Sequence, residues 1–413
     1  MTDVIAKPTA PVDPRFLNAG PVVDRSLYTD PAVFTQEMSR IFERAWLYVA
    51  HESELKEPGD FRTTDLAGQP VIAVRGNDGQ IRVVYNSCRH RGVLVELDAA
   101  GNRKSFKCLY HHWEYGRDGA LISVPRAEGQ GKSFSLATCG LVPVPRVEIS
   151  DGMIFASLNP DTPPLREYFG AAAEYINHVA TYLGRPLAVY GTYEYSFKGN
   201  WKLICENTVD DYHPQYLHGD TYRESARRLG GLGISGAFMG GRSAQELEKS
   251  RRNEDLGMHG YLAWRAEDRN IEHQHERSLH EHISVFPSLL GLYDPIRDVV
   301  GFRIIHPEAA DLTRIVTICL GPADATEERR RGIAERFNHN WGPTGRVGPD
   351  DITCFEYLQK GLQARAGGNV LITRGAEGDP RYGEPADEHA VRAVWNGWRH
   401  FMLDETITVG PEK

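Results

Sequence analysis

The chain is most specific at two short stretches, which read Tyr85-Asn-Ser-Cys-Arg-His-Arg-Gly92 and Phe106-Lys-Cys-Leu-Tyr-His-His-Trp113. Each contains one cysteine and one histidine close together, as Cys88-x-His90 and as Cys108-x-x-His111. Seventeen residues separate His90 from Cys108. Thiolate and imidazole groups are both good metal ligands, so two such pairs predict two loops that hold one metal centre.

Two cysteines and two histidines in this order are the ligand set of a Rieske iron–sulfur cluster, in which imidazoles replace two thiolates on one iron. This exchange raises the reduction potential of the cluster, which can then accept electrons from an ordinary ferredoxin or reductase. Gly92 can adopt the positive φ that a tight ligand loop requires. A structural zinc site is the alternative, but zinc ligands more often occur as C-x2-C with C-x2-C or H-x3-H.

The composition is that of a soluble globular protein with more than one domain. The chain has 413 residues, of which 41% are hydrophobic and 25% are charged. The net charge of −9 argues against nucleic-acid binding and suits docking to a basic electron donor. Neither a membrane span nor a signal peptide is apparent, and the six cysteines lack paired spacing, so we expect a reduced, cytoplasmic protein.

The pattern of elements predicts an α+β fold with three parts. Residues 1–45 are expected to form an N-terminal arm and helix that pack with the catalytic domain, residues 46–160 an all-β Rieske domain, and residues 161–413 a catalytic domain with helices and an antiparallel sheet, similar to a helix-grip fold. The main predicted elements are a helix over 30–46, strands over 71–75, 81–85, 284–294, 299–306 and 313–320, a helix-like stretch over 200–218, and helices over 326–341, 351–364 and 387–403.

The helix-like stretch holds a second constellation. Asn207, Asp210 and His213 are spaced by three and would share one helical face. His218 lies five residues beyond His213, so both rings converge only if the helix is irregular between them, and Pro214 can cause this. Two histidines and one carboxylate form the facial triad of a mononuclear non-haem Fe(II) site.

The carboxylate of this triad must come from elsewhere. Asp210 is close enough in sequence to hold the second ring nitrogen of His213, which makes it a better hydrogen-bond partner than a ligand. Gly348-Pro-Asp-Asp351 offers Asp350 and Asp351 at the start of a predicted helix. The spacing does not choose between these two.

Taken together, these motifs resemble those of the large (α) subunit of Rieske non-haem iron aromatic-ring-hydroxylating oxygenases. The resemblance runs from the Rieske loops through Glu206-Asn207 to Gln359. It implies that Cys88, His90, Cys108 and His111 bind the 2Fe-2S cluster, that His213, His218 and Asp351 bind Fe(II), and that Asn207 lines the pocket. The chain departs from the commonest pattern in Leu109 and His112, where the family often has Pro and Gly.

The resemblance also implies a function and partners. Electrons would pass from NADH through a separate reductase, directly or through a ferredoxin, to the cluster and then to the iron, where O2 hydroxylates an aromatic ring. Asp210 would link His213 to His111 of a neighbouring subunit, within an α3 or α3β3 assembly. The match looks closest to the branch that acts on aromatic acids such as terephthalate or salicylate, for which Arg303 is a candidate pocket cation.

Two other functions stay open. A Rieske monooxygenase or demethylase acting on a non-aromatic or methylated substrate would share every metal ligand. An electron-transfer or zinc-binding protein would lack the mononuclear iron. The sequence Gly231-Leu-Gly-Ile-Ser-Gly236 matches a dinucleotide-binding pattern, but no strand precedes it, so we interpret it as a loop and expect NADH to bind a partner.

Overall fold

The computed structural model of the chain describes residues 13–17, 20–169, 173, 177, 186–210, 212–219, 260–266, 279–294, 299–377 and 387–403. The predicted loop at Gly231–Gly236 lies outside these ranges. Within them, no helix is both long and apolar enough to cross a membrane.

Most of the ordered backbone is antiparallel sheet. The strands are β1 (Val22–Val23), β2 (Leu47–His51), β3 (Asp60–Leu66), β4 (Gln69–Arg75), β5 (Ile81–Tyr85), β6 (Ala100–Asn102), β7 (Phe106–Lys107), β8 (Glu114–Tyr115), β9 (Leu121–Ser123), β10 (Arg146–Ser150), β11 (Met153–Ser157), β12 (Leu187–Phe197), β13 (Gly260–Ala266), β14 (Leu279–Val285), β15 (Leu289–Asp294), β16 (Val299–Ala309), β17 (Leu312–Pro322) and β18 (Val370–Leu371).

The helices are shorter and are concentrated in the second half of the chain. They are α1 (Pro14–Leu17), α2 (Pro31–Glu37), α3 (Leu165–Phe169), α4 (Trp201–Thr208), α5 (Pro214–Leu217), α6 (Glu327–Trp341), α7 (Gly348–Leu362) and α8 (His389–Met402). Short 3₁₀ turns occur at Arg25–Tyr28, Glu52–Glu54, Ala127–Gly129 and Leu136–Thr138, and a π-helical segment, Met38–Phe42, follows α2.

The strands form small sheets before residue 160 and one large sheet after it. The small sheets have the orders β5-β4-β3-β6, β7-β8-β9 and β10-β11-β2, and the large sheet has the order β12-β17-β16-β15-β14-β13. The predicted α+β class is therefore confirmed, as are the predicted strands over 71–75 and 81–85, which pair with each other as β4 and β5. The boundaries at residues 45 and 160 stay a prediction, because one hydrophobic core continues across both of them.

Two predicted elements are interrupted in the structure. The strand expected over 284–294 is two strands, β14 and β15, joined by a turn at Phe286–Ser288. An apolar run hides this break, because hydrophobic periodicity does not report a turn whose side chains are also buried. The helix-like stretch over 200–218 is α4 followed by a non-helical segment and then α5, so the expected irregularity is present but begins before Pro214.

A buried polar cluster fixes α4 in place. Glu37 accepts hydrogen bonds from Trp201 Nε1 at 2.8 Å and from Trp398 Nε1 at 2.6 Å, and it forms an ion pair with Lys202. Both charged side chains of this pair are at most 1% exposed. A buried ion pair is tolerated only when its remaining hydrogen-bonding capacity is used, and the two indoles do this for Glu37.

A second ionic cluster joins β3 to the large sheet. Asp65 accepts a hydrogen bond from His306 Nδ1 at 3.2 Å and is paired with Arg314, which also contacts Glu194 and Glu308. Burial alone would raise the pKa of Asp65, but the hydrogen bond from His306 and the charges of His306 and Arg314 lower that pKa to about 2. The cluster therefore stabilises the contact between the Rieske-loop half and the catalytic sheet.

We expect Asp65→Asn to lower the free energy of unfolding at pH 7 by roughly 2 kcal/mol, because the ionised form is the one that the fold stabilises. A carboxyl group with a depressed pKa stabilises the fold at pH values above its ordinary pKa of 3.8. The difference in free energy of unfolding between D65N and wild type should therefore narrow as the pH falls from 3.8 towards about 2. Urea titrations across this pH range measure the free energy of unfolding of both proteins. Asp78→Asn, which breaks an exposed pair with Arg82, is the control and should change nothing measurable. Equal stability of D65N and wild type would contradict the role of this cluster.

Candidate metal centres

Both Cys-His loops close with the same two backbone hydrogen bonds. In the first loop, the Cys88 N–H donates to the Val93 carbonyl at 2.9 Å and the Gly92 N–H donates to the Cys88 carbonyl at 2.8 Å. The second loop repeats both bonds at 2.9 Å, from the Cys108 N–H to the Trp113 carbonyl and from the His112 N–H to the Cys108 carbonyl. The two loops are therefore structurally equivalent ligand turns.

The equivalent fourth positions of the loops both have positive φ. Gly92 has a φ of 75°, as predicted, and His112 has a φ of 59°. A residue with a Cβ costs roughly 1 kcal/mol more than glycine in this conformation, so His112 is the strained member of the pair. The ring that lies beside His90 is that of His111, with ring centroids 4.5 Å apart, and this supports His111 over His112 as the ligand.

Asn86 holds the first loop against β5. Its buried side chain accepts hydrogen bonds from the Val95 N–H at 2.8 Å and the Glu96 N–H at 3.0 Å, and it donates to the Glu96 carbonyl at 2.8 Å. A buried amide with all these partners fixes one loop conformation. The sequence analysis missed this residue, although its position directly after a strand is a signal for a turn.

The ligand side chains pair by type. The Cys88 and Cys108 thiols are both buried, and burial and the nearby Cys88 thiol both raise the pKa of Cys108. Tyr115 accepts a hydrogen bond from the Arg89 N–H, so its hydroxyl, 3.2 Å from Cys88 Sγ, can donate to that sulfur. Thiols on the inner side and imidazoles on the outer side match a two-iron cluster with two Cys on one iron and two His on the other.

A single zinc ion requires a different arrangement. Tetrahedral coordination would bring all four donor atoms to within about 4 Å of one another. Among the described residues, the only group of three or more His, Cys, Asp or Glu donors within 4.8 Å of one another is His213, His218 and Asp351. The loops therefore fit a 2Fe-2S cluster and do not fit zinc.

The mononuclear site forms where α4 is interrupted. His213 caps α5 and His218 follows it, so the break lets two rings five residues apart turn towards each other, with centroids at 5.4 Å. Asp351 lies in the first turn of α7 and is 8% exposed. Its Oδ1 is 3.0 Å from His218 Nε2 and 3.7 Å from His213 Nε2. Two imidazole nitrogens and one carboxylate oxygen at this separation fit a facial triad with open positions for O2 and substrate.

Each histidine is also held at its other nitrogen by a carboxylate. Asp210 Oδ2 is 3.1 Å from His213 Nδ1, and Asp350 Oδ2 is 3.3 Å from His218 Nδ1. An Nδ1–H bonded in this way leaves the Nε2 lone pair free to bind a metal. Asp351 thus lies at the ligand position and Asp350 behind His218, which separates the two aspartates that the sequence left open.

Asn207 reaches into the same site. Its Nδ2 is 3.1 Å from His213 Nε2 and 3.2 Å from Asp351 Oδ1. Rotating the amide would place its oxygen there instead, because the two atoms are equivalent in shape. Burial lowers the pKa of His218, but the Asp351 and Asp350 carboxylates outweigh it and raise that pKa, as expected of a site that attracts cations.

The two aspartates give a matched pair of variants. We expect Asp351→Ala to lose about one iron per chain while the visible spectrum of the 2Fe-2S cluster is retained, because only the triad loses a ligand. Asp350→Asn should keep the iron but weaken Fe(II) or Co(II) affinity roughly 10- to 100-fold, because the ring of His218 is no longer oriented. Metal analysis and Co(II) titration measure both effects, with the exposed Asp311→Asn as the control. Unchanged affinity in all three variants would show that neither carboxylate serves the metal.

Comparison with known proteins agrees with both sites. Residues 45–143 match the Rieske [2Fe-2S] domain, and residues 185–403 match the catalytic domain of the ring hydroxylating alpha subunit. The chain is 28% identical over 397 residues to the terephthalate 1,2-dioxygenase terminal oxygenase component subunit alpha 2 of Comamonas sp, covering 92% of this chain and 95% of that protein. It is 30% identical to the toluate 1,2-dioxygenase subunit alpha of Pseudomonas putida, covering 86% and 81%.

A solved structure of a ring-hydroxylating dioxygenase has the same fold as this chain. Naphthalene 1,2-dioxygenase from Rhodococcus sp., bound to indole, aligns with a TM-score of 0.76 and 25% identity over 93% of this chain and 95% of that one. The predicted cofactors, a Rieske 2Fe-2S cluster and a non-haem iron, follow from the two matched domains and the triad geometry. The chain belongs to the Rieske ring-hydroxylating dioxygenases and is a terminal oxygenase α subunit.

Proposed function

We propose that this α subunit hydroxylates an aromatic carboxylate with O2, using electrons from NADH that arrive through a partner reductase, directly or through a ferredoxin. Cys88, His90, Cys108 and His111 would hold the cluster, and His213, His218 and Asp351 would hold the iron. When bound, the cluster supplies one-electron transfer and the iron supplies oxygen activation. The single observation that carries the choice of substrate is the environment of Arg303.

Arg303 is a buried cation, 8% exposed, and its Nε has no hydrogen-bond partner. Among the residues that the structure describes, no carboxylate forms an ion pair with it. In the register of β16 and β17 it lies opposite Thr317, whose buried Oγ1 also lacks a partner. An unpaired buried guanidinium costs several kcal/mol, so a site of this kind is stabilised by an anion that enters it.

The position of Arg303 relative to the iron site is defined through Tyr195. Burial raises the pKa of the Tyr195 hydroxyl, the charge of Arg303 lowers it and the charge of Asp351 raises it, so both charges lie near this one phenol. Tyr195 stacks on Tyr193 with ring centroids 6.4 Å apart. Two aromatic rings, a cation and a triad carboxylate whose charge reaches Tyr195 suit a flat aromatic ring with a carboxylate at one end.

The names of two relatives support the same substrate class. The Comamonas protein is a terephthalate dioxygenase and the Pseudomonas putida protein is a toluate dioxygenase, and both substrates are aromatic acids. The match to a naphthalene dioxygenase shows that the fold also accepts an uncharged substrate. The buried Arg303 cation supports an acid over an uncharged ring as the substrate of this chain.

The electron path is proposed to cross between subunits. Within the described part of the chain, no hydrogen bond joins a cluster loop to the iron-site residues, whereas Asp210 bonds His213 and is 23% exposed. The exposed side of Asp210 can accept a hydrogen bond from His111 of a neighbouring copy. Head-to-tail contacts of this kind close into a ring, so we expect an α3 assembly, alone or with β subunits.

The local charge near the cluster loops indicates the charge of the electron donor that docks there. Arg89 and Arg91 are exposed beside the ligand His90, and Arg91 lies over the Tyr110 ring at 5.9 Å. The whole chain has a net charge of −9, which led us to expect a basic electron donor. The surface next to the cluster is positive, however, so an acidic donor protein matches this surface better.

Arg303→Gln tests the substrate class. We expect kcat/KM for terephthalate or benzoate to fall roughly 10- to 100-fold, mainly through KM, because a charge-assisted pair is lost from the bound state. Oxidation of an uncharged ring such as indole should change little. Substrate-dependent oxygen uptake measures both, with Arg331→Gln on the exposed face of α6 as the control. An equal loss for the acid and the uncharged ring would assign Arg303 a structural role.

Asp210→Asn tests the path between subunits. We expect both metal centres to stay loaded while turnover falls roughly 100-fold or more, because the amide no longer orients His213 and the partner's imidazole as a carboxylate does. Stopped-flow absorbance should show normal reduction of the cluster by its donor and slow reoxidation in the presence of substrate and O2. Reoxidation at the wild-type rate would contradict the relay.

A further inference from the structure

Gln359 is a buried amide of α7 that joins this helix to two distant parts of the chain. The side chain is 4% exposed. Its Oε1 accepts a hydrogen bond from the Asn200 N–H at 3.0 Å, and its Nε2 donates to the Tyr28 carbonyl at 3.3 Å. A buried amide whose donor and acceptor are both used keeps one conformation, so Gln359 fixes α7 against these two segments.

Asn200, which donates to Gln359, is the residue at which α4 begins. Its Oδ1 caps the helix by accepting a hydrogen bond from the Lys202 N–H at 3.1 Å, and its Nδ2 donates to the Ala310 carbonyl at 2.8 Å. A capping residue of this kind is held in a fixed position relative to the first turn of its helix. The Asn200 N–H therefore gives Gln359 a contact that is rigidly connected to α4.

A second bridge joins the same two helices at the iron site. Asn207 Nδ2, near the other end of α4, is 3.2 Å from Asp351 Oδ1. Asn207 is seven residues after Asn200, and Asp351 is eight residues before Gln359, so the two bridges are about 10 to 12 Å apart along both helices. Two bridges at this separation determine how far α7 is shifted along α4.

The apolar contact between the two bridges is less directional. Phe355 lies one turn from both Asp351 and Gln359 and packs on Phe197 with ring centroids 5.0 Å apart. Apolar contacts are non-directional, whereas a hydrogen bond accepts only a narrow range of distance and angle. A slip of α7 by one residue would move its side chains by about 1.5 Å along the axis and about 100° around it. This would break the 3.0 Å approach of Asp351 Oδ1 to His218 Nε2.

We propose that Gln359 is a positioning residue of the iron site, which sets the axial position of α7 on α4 and thereby the distance of Asp351 from the two histidines. Gln359 lies about two turns from Asp351, so it acts on the triad through the helix. This inference rests on the proposed iron triad but not on the aromatic substrate or the electron path.

Two variants of similar size separate positioning from packing. Gln359→Met keeps the length of the side chain but loses both hydrogen bonds, whereas Gln359→Glu keeps an acceptor for the Asn200 N–H. The electron paramagnetic resonance signal of the Fe(II)–NO adduct, recorded on the full chain with the cluster oxidised, reports the ligand geometry of the mononuclear iron. We expect Q359M to change the rhombicity of this signal and to weaken Co(II) affinity roughly 10-fold, and Q359E to keep the wild-type signal.

Arg25→Gln is the matched control on the same helix. Arg25 donates to three backbone carbonyls at and just beyond the C-terminal end of α7, so R25Q weakens this end without removing either bridge. Thermal unfolding measures the loss of stability in each variant, and R25Q should keep the wild-type signal and Co(II) affinity.

A wild-type signal and affinity in Q359M, or a change in R25Q as large as that in Q359M, would overturn the inference. If Q359M folds poorly, an altered signal in Q359E would overturn it alone, because the acceptor for the Asn200 N–H is retained there. A wild-type protein that binds no mononuclear iron would instead overturn the proposed function.

Discussion

The approach of Asp351 Oδ1 to His218 Nε2, at 3.0 Å, is the contact on which the catalytic half of the chain depends. It requires α4 to end before His213 and α7 to begin just before Asp351. The first turn of a helix carries partial positive charge, which stabilises an ionised carboxylate there. The two outer carboxylates, Asp210 and Asp350, then orient the two imidazole rings towards the ligand position.

The position of His213 in this site depends on how α4 is held in the fold. The Glu37–Lys202 pair and the indole of Trp201 attach the helix to the N-terminal segment, and Trp395 attaches it to α8. Residues from both ends of the chain therefore determine where His213 lies. Glu206 joins the same layer, because its Oε1 accepts hydrogen bonds from both the Tyr28 hydroxyl and Trp395 Nε1.

The cluster could be predicted from the sequence because its ligands are local: Cys88-x-His90 and Cys108-x-x-His111 each lie in one turn. The positive φ of His112 was not predicted, although the glycine that the family often has at this position is a signal for that conformation. The choice between Asp350 and Asp351 depends on how α7 is rotated, which spacing within one helical turn does not determine.

Arg303 shows a second limit of prediction from the sequence. The sequence marked Arg303 as a candidate pocket cation, but it could not show that the Arg303 Nε is buried without a partner among the described residues, because this is a property of the three-dimensional surroundings. Glu206 was part of the recognised motif, yet its two donors on one oxygen come from residues 178 and 189 positions away. Long-range polar contacts of this kind leave no periodic signal in a sequence.

Quantifying iron and acid-labile sulfide in the purified protein tests the central claim most directly, namely that one chain holds both a two-iron cluster and a separate mononuclear iron. The account predicts about three irons and about two sulfides per chain, without zinc. Two irons per chain, or zinc in place of iron, would contradict it.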